Sequence, residues 1–337
     1  NDEWAGFEIM PFRVGSVLPS EPSGSYAREA LLNGLSFEDQ GMANPFDFGF
    51  VGASDTHTAA IGDDESDFYG KLGLTDATPQ QTGAVPLSAE AGARRLEDRP
   101  DTTKEFDAGV YVNGSDITFG ASGITGVWAE DNTREAIYNA FRRKETFATT
   151  GTRIKVRFFG GYDFTDETLA APDMLQTAYS EGVSMGSDLL PKGDRAPRFI
   201  VWATQDALSA PLQRLQVIKG WTVDGEPHEQ VFDVACSDGL TVDPQSHRCG
   251  DNGAQVNLED CSISADVGAA ELKTVWVDPD FDPSVRAFYY VRVLENPTCR
   301  WSTWDAINEG YEPRPDFSAT IQERAFTSPI WYRPSSG

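Results

Sequence analysis

The chain has 337 residues, 39% of them hydrophobic, with 53 acidic side chains against 27 basic ones and a formal net charge of -26. That length allows one large domain or two, each with a sizeable core. The charge argues against nucleic acid and anionic lipid as partners, since both need clustered positive charge, and no apolar run approaches the roughly 20 residues of a membrane span.

The opening "NDEWAGFEIMPF" carries no basic or apolar targeting segment and reads like the inside of a domain, so upstream sequence is expected. "SYAREALLNGLSFEDQ" (25–40) predicts a helix with Ala27, Leu31 and Leu35 on one face, Ser25 as N-cap and Gly34 as an early break. After Asn44-Pro45, "FDFGFVGAS" reads as a buried strand. From about 62 to 120 the composition turns rich in Pro, Ala, Gly and acids, which predicts a long surface loop. "EDNTREAIYNAFRRKE" predicts a second helix, opening at Asn132 with Glu135 as capping-box partner and with Ile137, Phe141, Ala136 and Ala140 on its apolar face.

Beyond Gly151 the pattern is all-β. "RFIVWATQ", "LQVIKGWTVDGEPHEQVFDVA", "ELKTVWVD", "AFYYVRVLEN" and "SPIWYR" are short strands, with Asp224-Gly225 as a two-residue hairpin turn. This is the pattern of an antiparallel β-sandwich over 151–337. Four cysteines, Cys236, Cys249, Cys261 and Cys299, lie in its loops without zinc-knuckle spacing. Three pairings are possible; we expect Cys236 with Cys249 and Cys261 with Cys299, and therefore a periplasmic or secreted protein.

The chemistry-bearing motif is Asp55-Thr56-His57, which follows the apolar run. In an extended chain, residues two apart project to the same side, so Asp55 and His57 can reach one metal centre. A catalytic zinc takes three protein ligands, and only two are visible. "GDDESD" (62–67) reads as a solvated acidic loop, and His228 and His247 as solvated loop residues. Arg153 follows "ATTG" and could contact a phosphate oxygen by a forked contact; Arg28 lies on the first helix, and Trp128 could wall a pocket. Trp301 and Trp304 could make a stacking platform, or a packed lid over the end of the sandwich.

"GASDTH" resembles the late metal-binding motif of the PHP (polymerase and histidinol phosphatase) superfamily. "GSYAREALLNGL", "NPFDFGFVGASDTHTA", "ITGVWAEDNTREAIYNAFRRKETFATTGTRI", "FYYVRVLENPTCRWSTWDA" and "SPIWY" resemble its branch known as domain of unknown function family 3604, over nearly the whole chain. The resemblance implies an α+β chain: the C-terminal portion of a distorted (β/α)7 barrel over 1–150, then the sandwich. It implies two or three divalent metal ions (Zn, Mn or Fe), with Asp55 and His57 as ligands. The family's opening His-x-His pair has no counterpart here, so an upstream segment or a companion chain would supply the remaining ligands, and this chain alone would be inactive. The implied activity is hydrolysis of a small-molecule ester, phosphoesterase-like. The rival expectation is a secreted β-sandwich that binds carbohydrate or protein, with a vestigial metal site.

Overall fold

The computed structural model describes residues 2–334 apart from 8, 14, 15, 17 and 122. In chain order its main elements are α1 (Ala27–Asp39), α2 (Pro79–Thr82), α3 (Ala89–Asp98), β1 (Thr103–Phe106), β2 (Gly109–Val112), β3 (Ile124–Val127), α4 (Arg134–Arg142), β4 (Thr146–Thr149) and β5 (Lys155–Gly161). There follow α5 (Asp166–Ala170), α6 (Met174–Glu181), β6 (Val183–Ser184), β7 (Asp188–Leu189), β8 (Arg198–Thr204), β9 (Leu212–Val223), β10 (Glu226–Cys236) and β11 (Glu271–Val277). The chain closes with β12 (Ala287–Cys299), α7 (Trp301–Glu309), β13 (Thr320–Thr327) and β14 (Ile330–Tyr332).

Strand alternation on β12 sets the architecture. Tyr289, Val291 and Val293 point into a core shared with Phe158 of β5, Phe199 and Val201 of β8 and Phe232 of β10. The intervening Phe288 and Tyr290 point the other way and meet Leu31, Leu32 and Leu35 of α1. Two sheets therefore face each other as a sandwich. The larger runs β10-β9-β12-β13-β4-β3, with β14 and β7 attached; the smaller runs β11-β8-β5-β6. The turn between β9 and β10 is Asp224-Gly225, both at positive φ (53° and 82°), as a tight hairpin requires. Disulfides join Cys236 to Cys249 and Cys261 to Cys299.

Several expectations need correction. β3 and β4 precede residue 151 yet extend the larger sheet, so the sandwich begins earlier than its predicted boundary. The strands before residue 150 pair antiparallel, and none of these pairings draws a barrel wall. Helix α1 starts after an uncapping Tyr26 and runs through Gly34 rather than breaking there. A Cβ at Gly34 would fall 2.3 Å from the Asn44 side chain, so glycine allows close approach at that point. Helix α4 is capped by Thr133, not Asn132, and Phe141 is exposed while Ala140 is buried.

The predicted loop at 62–120 is in fact a small packed unit. Phe68, Ala84, Val85 and Ile117 cluster with Trp301 and Ala306 of α7, and β1 pairs with β2. Its anchors are few and small, which is why composition hid them. Conversely, "FDFGFVGAS" forms no strand: it is extended, and Phe48 and Phe50 are half-buried. Its polar contacts run to side chains instead of a ladder. Phe50 N–H donates to Ser328 Oγ at 2.8 Å, and Thr125 Oγ1 donates to the Gly52 carbonyl at 2.6 Å.

Candidate functional site

The apolar segment ends in a reversal of backbone hand. Asp55 has φ of 56° and Ala59 of 62°, both left-handed, and such residues carry strain that the surroundings must hold. Aspartate tolerates this region better than most residues because its short side chain is compact and polar. The extended-chain argument that set Asp55 and His57 on one side therefore does not apply across this turn. Both residues are exposed, and neither side chain makes a hydrogen bond or ion pair among the described residues.

The turn is fastened through its backbone. Thr56 N–H donates to Ser54 Oγ at 3.2 Å, and His57 N–H to the Lys71 carbonyl at 2.8 Å. The loop carrying Lys71 is knotted around Asp76, a fully buried carboxylate. Its oxygens accept from the N–H groups of Lys71 (2.7 Å), Leu72 (2.9 Å) and Gly73 (2.9 Å). Gly70, at φ 79°, lets the backbone pass this knot, since a Cβ there would lie 2.3 Å from the Asp76 carbonyl oxygen. Among the described residues no group of three His, Cys, Asp or Glu side chains is placed to hold a metal ion. Asp55 and His57 are thus two donors where a catalytic metal takes three.

The other expected site residues lie elsewhere and are already engaged. Arg28 donates through Nε to Tyr290 Oη (2.8 Å) and pairs with Asp2 (2.6 Å) and Glu229 (3.3 Å). Arg292, almost wholly buried on β12, takes both oxygens of the same Asp2 at 2.9 and 3.0 Å. Burial pushes the Asp2 carboxyl up, but the bonds and charge of Arg292, joined by Arg28, outweigh it and hold the group well below the usual carboxylate range. This knot borders a cavity of about 800 Å³ whose far wall is Phe48, Phe50 and Phe326. Trp128 donates Nε1–H to the Val156 carbonyl at 2.8 Å and lies under the Arg157 guanidinium, 3.6 Å from its ring centre. It packs at the edge of the core.

Arg153 pairs with Asp63 at 3.1 Å beside a second cavity, of about 320 Å³. Asp63, Asp206, Glu65, Glu323, Ser209, Thr152 and Trp304 line it. This is the group that sequence reasoning missed. "GDDESD" looked solvated, yet Glu65 is buried and accepts from the N–H groups of Ala121 (2.7 Å) and Trp301 (2.5 Å). Glu323 is 3% exposed and accepts from the Thr150 hydroxyl. Glu295, behind Ser209, has one oxygen bonded by the Ser209 hydroxyl at 2.6 Å and the other without a partner. Burial pushes its carboxyl up to about 8. The tryptophan pair does not make a platform: Trp301 is buried in the core beside Phe68, and only Trp304 reaches the cavity. His228 stacks on Trp221 and His247 meets Phe232 edge-on, both far in sequence from Asp55.

Among the described residues no helix is long and apolar enough to cross a membrane, and the two disulfides are compatible with an oxidising compartment. No curated protein and no solved structure matches the chain. The model of the family described as "Protein of unknown function (DUF3604)" matches residues 1–334, and the chain belongs to that family.

Proposed function

We propose that this chain contributes to a metal-dependent hydrolase of the PHP superfamily, phosphoesterase-like, in which Asp55 and His57 are two of the metal ligands. The remaining ligands come from sequence or a companion chain outside these residues. The observation that carries the reading is the left-handed Asp55 at the end of an apolar segment, followed two residues on by a histidine, with both side chains exposed and unengaged. A left-handed aspartate that makes no structural bond leaves its carboxylate open to a ligand. A divalent centre there would supply hydroxide at neutral pH and polarise a phosphoryl oxygen. The disulfides support a periplasmic or secreted location. The test is hydrolysis of an aryl phosphate by the protein with its remaining ligands present: Asp55→Asn and His57→Ala should each abolish turnover while leaving thermal unfolding unchanged. Full turnover in either variant would refute the assignment.

A second reading is a binding module in which Asp55 and His57 hold no metal. The exposure of both side chains, with no third ligand beside them, favours it. Ligand binding that survives a chelator, in a protein without hydrolytic activity, would decide for this reading.

A further inference from the structure

The cavity of about 800 Å³ lies against α1, β4, β12 and β13 and includes neither Asp55 nor His57. Its wall is built from six aromatic side chains, Trp4, Tyr26, Phe48, Phe50, Tyr290 and Phe326. Phe50 packs edge-on against Tyr290, with ring centres 5.4 Å apart. Three acids and three bases also border it, Asp2, Glu29 and Glu229 against Arg28, Arg292 and Arg324. In a chain of net charge -26 that local balance stands out, and these groups are held by one another and by their surroundings. Arg28 and Arg292 share Asp2, and Arg28 also holds Glu229. Glu29 accepts from the Gly24 N–H at 2.6 Å, and the Arg324 guanidinium lies over the Trp4 ring at 4.4 Å. The polar atoms of the aromatic wall are engaged in the same way, with one exception. The Tyr26 hydroxyl donates to the Ala5 carbonyl at 2.7 Å, and the Tyr290 oxygen accepts from Arg28 Nε at 2.8 Å. The buried Trp4 Nε1–H has no acceptor among the described residues.

We propose that this cavity binds a neutral aromatic carbonyl compound, its rings against Phe48, Phe50 and Phe326 and its carbonyl oxygen accepting from Trp4. The indole N–H is a donor only, so it selects a ligand that carries an acceptor. A buried donor without a partner is destabilising, and an acceptor brought by a ligand relieves it. Aromatic walls favour a ring over an alkyl chain, through edge-to-face and offset contacts. The alternatives fit worse. An anion or a cation would have to break one of the ion pairs to find its counter-charge. A sugar would turn most of its hydroxyls towards ring carbon. The volume is that of pockets that enclose drug-sized ligands. The inference holds whether or not Asp55 and His57 ligate a metal.

The experiment is fluorescence titration of the 337-residue chain with acedan, a neutral naphthyl ketone whose emission moves to the blue on leaving water. Saturable binding of one acedan per chain is expected, with acetonaphthone displacing it at least roughly tenfold more readily than naphthoate or naphthylmethylammonium. Trp4→Phe keeps a ring and removes the donor, and should weaken binding roughly threefold to tenfold. Val51→Trp should abolish binding, because Val51 is exposed at the cavity and the larger ring can fill it without disturbing the core. Thermal unfolding checks that both variants fold; should one fail, the other carries the test, and competition by the charged analogues needs no variant. No saturation up to the solubility limit of acedan overturns the proposal. Parental affinity in either folded variant does so too, as does displacement by a charged analogue as readily as by the ketone. Self-association that shuts acedan out, read by light scattering, would also overturn it and assign the cavity to an interface between copies.

Discussion

The amide of His57 donates to the carbonyl oxygen of Lys71 at 2.8 Å, and the amide of Lys71 in turn donates to buried Asp76 at 2.7 Å. The position of the candidate histidine thus depends on a carboxylate nineteen residues away that never approaches its ring. Asp76→Ala removes three charge-assisted backbone bonds and should cost roughly 2–4 kcal/mol. Urea unfolding measures the loss, and amide exchange at His57 should rise with it. A stability change within about 0.5 kcal/mol, the range of an ordinary surface substitution, would show that the knot does not hold the turn.

A second dependence links the start of the chain to the sandwich. Asp2 is held by Arg28 on α1 and by buried Arg292 on β12. Arg292→Ala leaves Asp2 short of its main partner and should destabilise by roughly 3–5 kcal/mol. Adding Asp2→Asn should recover part of that loss, giving a coupling of roughly 1–3 kcal/mol in a double-mutant cycle. Strict additivity in denaturant melts would mean that the pair does not interact in solution.

Glu295 makes stability depend on pH in an unusual direction. Burial, opposed by the hydroxyl of Ser209 and assisted by the charge of Asp206, raises its carboxyl from an ordinary 4.5 to about 8. The folded state then holds a proton that the unfolded state has lost, so stability falls as pH rises from about 4.5 through about 8. Glu323 adds to the same trend, its carboxyl pushed well up by burial and by the neighbouring charge of Glu65. Glu295→Gln should raise stability at pH 8 by roughly 2–4 kcal/mol and flatten the profile. Thermal melts from about pH 5 to about pH 8 check this; equal slopes in the variant and the parent would contradict it.

How much was legible depended on how each residue earns its place. β9, β10 and β12 announced themselves because alternation and the Asp224-Gly225 turn are local signals. The disulfide pairing followed chain proximity. The unit at 62–120 was hidden because Ala84 and Val85 are small and find their partner in α7, more than two hundred residues on. Phe46 to Ser54 has strand composition but meets side chains where a strand would need a ladder. The acid-lined cavity was invisible for the same reason: Glu65, Asp206 and Glu323 come from three distant segments, and nothing in "GDDESD" distinguishes the buried Glu65 from its solvated neighbours. Arg28 and Arg153 stand out by charge alone, but the carboxylates that hold them, Asp2 and Asp63, lie 26 and 90 residues away in the chain.

The most direct test of the central claim is metal content by plasma mass spectrometry, measured on the protein with its remaining ligands present. Asp55→Asn keeps a residue that tolerates the left-handed backbone while removing the charge, and His57→Ala removes the ring nitrogens. The account predicts loss of bound divalent metal in both variants with unchanged thermal unfolding. Parental metal content in the two variants would contradict it.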